Sequence, residues 1–393
     1  MSLITEIEEL HGQMIELRRD MHAYPELGFD EHRTSQLVAS VLEGVGYEVH
    51  RNIGKTGIVG QMKIGSSTRT VGLRADMDAL PLVEKNTFPY RSQIEGCMHA
   101  CGHDGHSAML LGAAIYLAKT KCFDGTVNVI FQPAEEGLGG AYAMVKDGLF
   151  DRFPCDAVYA MHNKPGLTAC EFGIFRGAMM ASGALFEIAI EGKATHGARP
   201  DLGSDPLIAA SQIVLSLQTI VSRTLDPRSA AVVSVTQIHG GEAMNIIPQR
   251  VVLKGTARCF SGKEMEIIGQ KLREISQGIC DAQGVKAEVS FKEIFPPLIN
   301  STEEAELAYS VCCDLIGEEK VHDDLPLVMA SEDFAVMLNE VPGCYINIGN
   351  GAYGHPGGCD VHNESYDFND DILPIGAAFF VEIAKRRLRG DVR

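Results

Sequence analysis

Between positions 99 and 106 the chain reads His-Ala-Cys-Gly-His-Asp-Gly-His, so that His99, Cys101, His103 and His106 crowd three imidazoles and a thiol together. Imidazole and thiolate are the ligands that borderline-soft divalent metals prefer. Gly102 and Gly105 let the backbone bend so that neighbouring side chains converge. Asp104 is expected to orient a ligating imidazole by accepting from its second ring nitrogen. The bland alternative is a polar loop with incidental histidines, but exposed histidines usually come singly, and the whole chain holds only 13. The spacing predicts a metal-binding loop.

A second constellation is Gln132-Pro133-Ala134-Glu135-Glu136-Gly137. Adjacent residues on an irregular loop point in different directions, so one carboxylate can bind metal while its neighbour serves as general base. Acids at a solvated helix start would also account for the pair. Following an apolar strand and a Gln-Pro turn, in a chain with a His/Cys cluster, it reads as catalytic. His162 follows Tyr159-Ala160-Met161 and is taken as a further ligand at a strand end. In the glycine-rich run Gly354–Glu364, spacing does not choose among His355, Cys359, Asp360 and His362. Ser331-Glu332-Asp333-Phe334 reads as a helix N-cap with acids in the first turn.

Alternating helices and strands must position these groups. Thr5–Arg19 and His32–Leu42 carry apolar residues at helical spacing. Short apolar strands are predicted at Thr70–Ala75, Thr126–Phe131 and Ala157–Met161, with helices at Ser107–Lys119 and Gly140–Asp147. That order implies an α/β fold, a mixed and mostly parallel sheet with flanking helices. Asp76 and Asp78 follow the first strand, Glu135 and Glu136 the second, His162 the third. In such sheets, sites lie beyond the carboxyl ends of the strands.

The texture changes near Ser182. Strands at Leu185–Ile190, Ala230–Ile238, Arg250–Phe260 and Lys286–Phe291, with helices at Pro206–Val221 and Lys263–Cys280, suggest an α+β insert that ends near Pro296-Pro297. Helix, strand and helix then resume at Glu303–Leu315, Cys344–Ile348 and Ile372–Lys385. The expected organisation is therefore one domain from 1–181 and 296–393, and an inserted domain of 182–295.

Composition narrows the function. The 393 residues are 45% apolar and 22% charged, with Lys+Arg 34 against Asp+Glu 52 and a net charge of -18. So acidic a surface disfavours nucleic acid and anionic membranes. The N-terminal stretch lacks the basic-then-apolar order of a signal peptide, and no transmembrane span is read. The 11 cysteines lack framework spacing and their count is odd, which points to free thiols in a reducing cytoplasm.

The chain resembles the aminoacylase, hippurate hydrolase and auxin-conjugate hydrolase group of dinuclear metal amidohydrolases, relatives of carboxypeptidase G. The resemblance is carried by His22–Phe29 (H-x-x-P-E-L-G-F), Leu73–Pro81, Met98–His106, Gln132–Gly137, the His162 segment, Gly177–Ser182, Asn245–Pro248, Ala330–Phe334 and His362–Tyr366, in order along nearly the whole length. It implies a zinc-exopeptidase-like catalytic domain with an inserted lid or dimerisation domain. It further implies that Cys101, His103, Glu136, His162 and His362 bind two divalent ions with Cys101 between them. Wider relatives use an aspartate as that bridge. Mn2+ or Zn2+ are the implied metals, Co2+ and Ni2+ the further options.

By the same resemblance Glu135 is the general base, Asp78 orients His103 from behind, and His99 and His106 are structural. His196 on the insert would donate to the oxyanion, within its own subunit or across a dimer. Asn245 and Arg258 would hold the substrate carboxylate. The implied reaction is hydrolysis of N-acyl amino acids, hippurate-like, N-benzoyl or N-acetyl, by a homodimer or larger homo-oligomer joined through the lid. Two rivals are a metal-independent amidase with Cys101 as nucleophile, activated by His103 or His162, and a non-catalytic metal-binding relative.

Overall fold

The computed structural model describes residues 2–388, which fold as two compact units. One comprises the chain up to Gly177, Ile299–Pro326 and the chain from Asp333; the other comprises Ala178–Leu298 with Leu327–Glu332.

The first unit is built on an eight-stranded sheet in the order Glu48–Ile53, Gly57–Ile64, Gly125–Gln132, Thr70–Asp76, Ala157–Pro165, Gly343–Gly351, Phe172–Gly173, Val321–His322. Its centre is parallel: Thr70–Asp76 pairs in parallel with Gly125–Gln132 and Ala157–Pro165, which in turn pairs in parallel with Gly343–Gly351. Glu48–Ile53 and Gly57–Ile64 add an antiparallel edge. Gly343–Gly351 is buried throughout and Thr70–Asp76 nearly so, as central parallel strands covered on both faces require. Helix His103–Thr120 is buried from His103 to Ala118 and packs against Thr70–Asp76, His11–Ala23 and Leu373–Arg387. From Ala108 to Ala118 it is apolar on every side, as a helix so enclosed needs.

The strand Gly57–Ile64 is absent from the sequence reading, and two further elements differ from it in ways that bear on the site. The first helix is broken by a 3-10 turn at Glu8–Leu10, and its second segment runs to Ala23 because Met14, Arg18, Met21 and His22 make one continuous buried face. The third strand continues past Met161 to Pro165 against Gly343–Gly351, with His162 opposite Asn347. His162 thus lies inside the strand, near its carboxyl end.

The second unit is a four-stranded antiparallel sheet in the order Ala231–Gly240, Arg250–Cys259, Ser182–Glu191, Lys286–Phe295. Helices Pro206–Thr219 and Gly262–Gln283 pack on it around Ile188, Ile213, Leu253 and Ile268. Asp205 caps the first helix by accepting from Leu207 N–H at 2.8 Å, with Pro206 next in the chain, and Gly284 in a left-handed conformation closes the second. Leu327–Glu332 joins this unit although it follows the insert in sequence, because Ala181 N–H donates to the carbonyls of Val328 and Ala330, each at 3.0 Å.

Candidate metal centre

The His99–His106 loop enters the first unit's central helix through Gly102, which has φ 95. A Cβ at that position would fall 2.3 Å from Asn163 Oδ1 and 2.6 Å from the Tyr366 hydroxyl. Only glycine meets both demands, and the turn starts the helix at His103.

The ligand atoms of Cys101, His103 and His162 lie within 4.8 Å of one another, and so do those of Cys101, Glu136 and His362. Cys101 is common to both sets. Its Sγ is 3.3 Å from His162 Nε2, and His362 Nε2 is 3.0 Å from Glu136 Oε1. Glu135, buried on the same loop as Glu136, falls into a further set with His103 and Glu136.

Two imidazoles are oriented from behind through Nδ1. His103 Nδ1 faces two acceptors, the Asp78 carbonyl at 2.9 Å and its carboxylate at 3.2 Å, so Nδ1 carries a proton and Nε2 is the nitrogen left for a ligand. That Nε2 is buried without a hydrogen-bond partner. His162 Nδ1 likewise donates to the Asn163 carbonyl at 2.6 Å, leaving its Nε2 toward Cys101. Imidazoles pinned from behind in this way, beside a thiol and carboxylates, fit a pair of divalent cations. Asp78 also accepts the Glu136 N–H through its other oxygen at 2.9 Å, tying the imidazole loop to the acid loop.

Packing so many groups together perturbs them. Burial pushes the Cys101 thiol above its ordinary range, His103 and His362 opposing it. His362 is pushed up to about 10 by hydrogen bonds to Cys101 and Glu136, while burial and the neighbouring His106 hold His162 well below the usual imidazole value. A cation at such a site inverts this balance, because it favours thiolate and neutral imidazole.

His362 is the member of the C-terminal loop that reaches these groups. Its φ of 61 is left-handed, and its N–H donates to the Ala100 carbonyl at 2.7 Å. His106 is engaged at both ring nitrogens, by Asp76 Oδ1 and Asn163 Oδ1, each at 2.7 Å. His99 is buried with neither ring nitrogen hydrogen-bonded among the described residues, and burial lowers it to about 4.

Two expectations are corrected. Asp104 orients none of the ligand-set imidazoles. It accepts from Arg18 Nε at 2.9 Å and lies 2.8 Å from His22 Nδ1, since successive helical residues diverge and Asp104 points away from the His103 side. The helix expected to carry Glu332 and Asp333 in its first turn begins only at Phe334, so both acids precede it, and Asp333 gives its N-terminus no side-chain hydrogen bond. It accepts instead from Gln132 Nε2 at 2.7 Å and from Ala141 N–H at 2.9 Å.

The sequence reading missed the buried lattice to which Asp333 belongs. Arg74 pairs with Asp76 at 2.8 Å, donates to Gln132 at 2.9 Å and lies 3.5 Å from Asp333. The available signal was a charge in the middle of an apolar strand. Also missed were Asn163, which donates to the Tyr366 hydroxyl at 2.7 Å, and Glu31, which accepts the Ala134 N–H.

His196, Asn245 and Arg258 belong to the second unit. His196 pairs with Ile246 in a two-stranded ribbon, and Gly197 N–H donates to the Asn245 carbonyl at 2.7 Å, so His196 and Asn245 are close neighbours. Arg258 lies opposite Gly183 on the adjoining strand and donates to the Ala257 carbonyl at 3.0 Å.

Residues 72–386 match the profile of Peptidase family M20/M25/M40. The chain is 42% identical over 392 residues to hippurate hydrolase of Campylobacter jejuni, covering 99% of this chain and 100% of that protein. It is 36% identical to N-acetyl-L-cysteine deacetylase of Bacillus subtilis, over 97% of this chain and 90% of the relative. A solved structure from Bacillus subtilis, described as a dinuclear metal binding peptidase from the M20 family, superposes with a TM-score of 0.85 at 31% identity, covering 97% of this chain and 99% of the other.

Proposed function

This chain belongs to peptidase family M20/M25/M40, and we propose that it hydrolyses hippurate-like, N-benzoyl or N-acetyl amino acids at a Cys101-centred site using Mn2+ or Zn2+, with Co2+ and Ni2+ as substitutes. It is a metallo-amidohydrolase that cleaves the amide bond of N-acyl amino acids, releasing a carboxylic acid and a free amino acid. The observation that supports this site most directly is that two separate sets of ligand atoms share Cys101.

Cations held by Cys101, His103, Glu136, His162 and His362 would supply the Lewis acidity that makes water a nucleophile at neutral pH. Glu135 takes the proton of the attacking water and returns it to the leaving nitrogen. Asp78 keeps His103 in the tautomer that offers Nε2, and the Asn163 carbonyl does the same for His162. We assign His196 as donor to the developing oxyanion, and Asn245 with the Arg258 fork as the group that binds the amino-acid carboxylate.

We further read the protein as a cytoplasmic homodimer or larger homo-oligomer joined through the second unit. The stretch Pro206–Thr224 has a mean hydropathy of 1.2 with only 28% of it buried, and Ile208, Leu215, Val232 and Ile238 are exposed on its helix and on the edge strand. A second copy of the chain is the partner we assign to that apolar surface.

The test is a hydrolysis panel over N-benzoyl, N-acetyl and indole-acetyl amino acids, using apo-protein reconstituted with each metal in turn. Turnover confined to metal-loaded protein supports the reading. No hydrolysis of any N-acyl amino acid with any metal would overturn it.

A further inference from the structure

The loop that carries the acid pair is held in a backbone conformation that its own residues disfavour. Ala134 has φ 52, a left-handed geometry that disfavours alanine by roughly tenfold or more. Its N–H donates at 2.8 Å to Oε1 of Glu31, a residue more than a hundred positions earlier and fully buried. Oε2 of the same carboxylate accepts from the Thr56 hydroxyl at 2.6 Å. Thr56 is held in turn by the Ser35 hydroxyl on its carbonyl, so the clamp is anchored to the first turn of helix His32–Gly44.

The other sides of Ala134 are closed as well. Its carbonyl accepts from Gly140 N–H at 3.0 Å, and Gly28 passes so near that a Cβ there would lie 3.0 Å from both Cα and Cβ of Ala134. One residue beyond Glu135, the Glu136 N–H is fixed by Asp78 at 2.9 Å. Two buried carboxylates therefore pin the backbone on either side of Glu135, Glu31 before it and Asp78 after it.

We propose that Glu31 is a positioning residue for the hydrolytic reaction, holding Ala134 left-handed so that Glu135 and Glu136 leave the loop in their working directions. This rests on the reading of Glu135 as general base and Glu136 as ligand. A buried carboxylate that only stabilised the fold would have no particular dependence on the residue at 134. Glycine reaches the left-handed conformation without help, so the clamp should matter far less to a chain with glycine there.

The experiment is a double-mutant cycle on the full chain: wild type, Glu31→Leu, Ala134→Gly and the combination. Leucine has no acceptor, so the bond from the Ala134 N–H is lost, whereas glutamine could keep it by giving its oxygen to that N–H and its amide hydrogens to the Thr56 hydroxyl. With hippurate and Mn2+, Glu31→Leu should lower kcat about tenfold or more with KM unchanged, and calorimetry on apo-protein should show Mn2+ binding weakened by a similar factor. In the glycine background the same substitution should cost less than about threefold in both readouts.

Equal penalties in the two backgrounds, or no penalty in either, overturn the proposal. Should Glu31→Leu fail to fold, Thr56→Val keeps Glu31 and removes its second anchor. Its smaller loss must still shrink with glycine at 134, and a loss independent of that residue is equally fatal. If wild-type protein binds Mn2+ but hydrolyses no N-acyl amino acid, the functional reading falls while the calorimetric cycle still decides the role of Glu31.

Discussion

His362 Nε2 and Glu136 Oε1 stand 3.0 Å apart, brought together from segments that lie on either side of the insert in sequence, and Cys101 completes their set while belonging equally to the set of His103 and His162. This sharing makes the metal content of variants diagnostic. His362→Ala and His162→Ala should each reduce bound metal from about two ions per chain to about one, while Cys101→Ala should lose both. Cys101→Asp should retain both, since an acidic oxygen can also lie between two ions. Metal analysis of desalted protein checks this, and an undiminished content in Cys101→Ala would refute the shared position.

Glu135→Gln removes the proton acceptor but leaves every proposed ligand in place. Metal content should be unchanged while kcat falls by about 10²–10⁴-fold, the usual worth of a positioned general base. Near-normal turnover with confirmed metal would remove Glu135 from that role.

Exhaustive chelation should abolish hydrolysis, and Mn2+ or Zn2+ should restore it. The rival route, in which Cys101 is the nucleophile, draws on its Sγ lying 3.3 Å from His162 Nε2. Burial pushes the thiol up and the His162 imidazole down, the opposite of what an ion pair between these two needs. Asp76 and Cys101 raise His103 against its burial, which leaves His103 as the activator that route would use. Activity that survives chelation would favour the thiol route.

His22 ties stability to pH. Burial opposes its charge, but the Asp104 carboxylate and hydrogen bonds to Asp104 and Glu84 outweigh that and raise it above 6.5. A raised imidazole contributes stability that is complete below the unfolded value of 6.5 and is lost as pH rises through the folded value. Thermal melts of wild type and His22→Gln should therefore differ most near pH 6 and converge toward pH 9. A gap that widens on the alkaline side would contradict the ion pair.

Leu215 is 74% exposed on a helix of the second unit. Leu215→Glu should reduce the mass seen by light scattering to that of a single chain, with little change in folding, since no packed core is disturbed. An unchanged mass would move the interface elsewhere.

Much of this molecule was legible in one dimension, because some requirements are local. The density of imidazole and thiol at 99–106, the acid pair after an apolar strand, and the alternation of strand and helix are properties of neighbouring residues. The mixed, mostly parallel sheet followed from them, as did the rim on which the polar residues gather. What lay beyond reach was every decision made by a distant partner. Spacing left His355, Cys359, Asp360 and His362 equivalent; a left-handed backbone and a hydrogen bond to Ala100 bring His362 to Cys101. Asp104 looked like a local orienter and Asp333 like a first-turn acid, yet a buried cation and amides elsewhere in the fold claim them. Residue type and periodicity settle which chemistry is available and which face is buried. Which carboxylate meets which partner is settled only when the folded chain excludes water from them, since a buried charge must take whatever donor packing puts within reach.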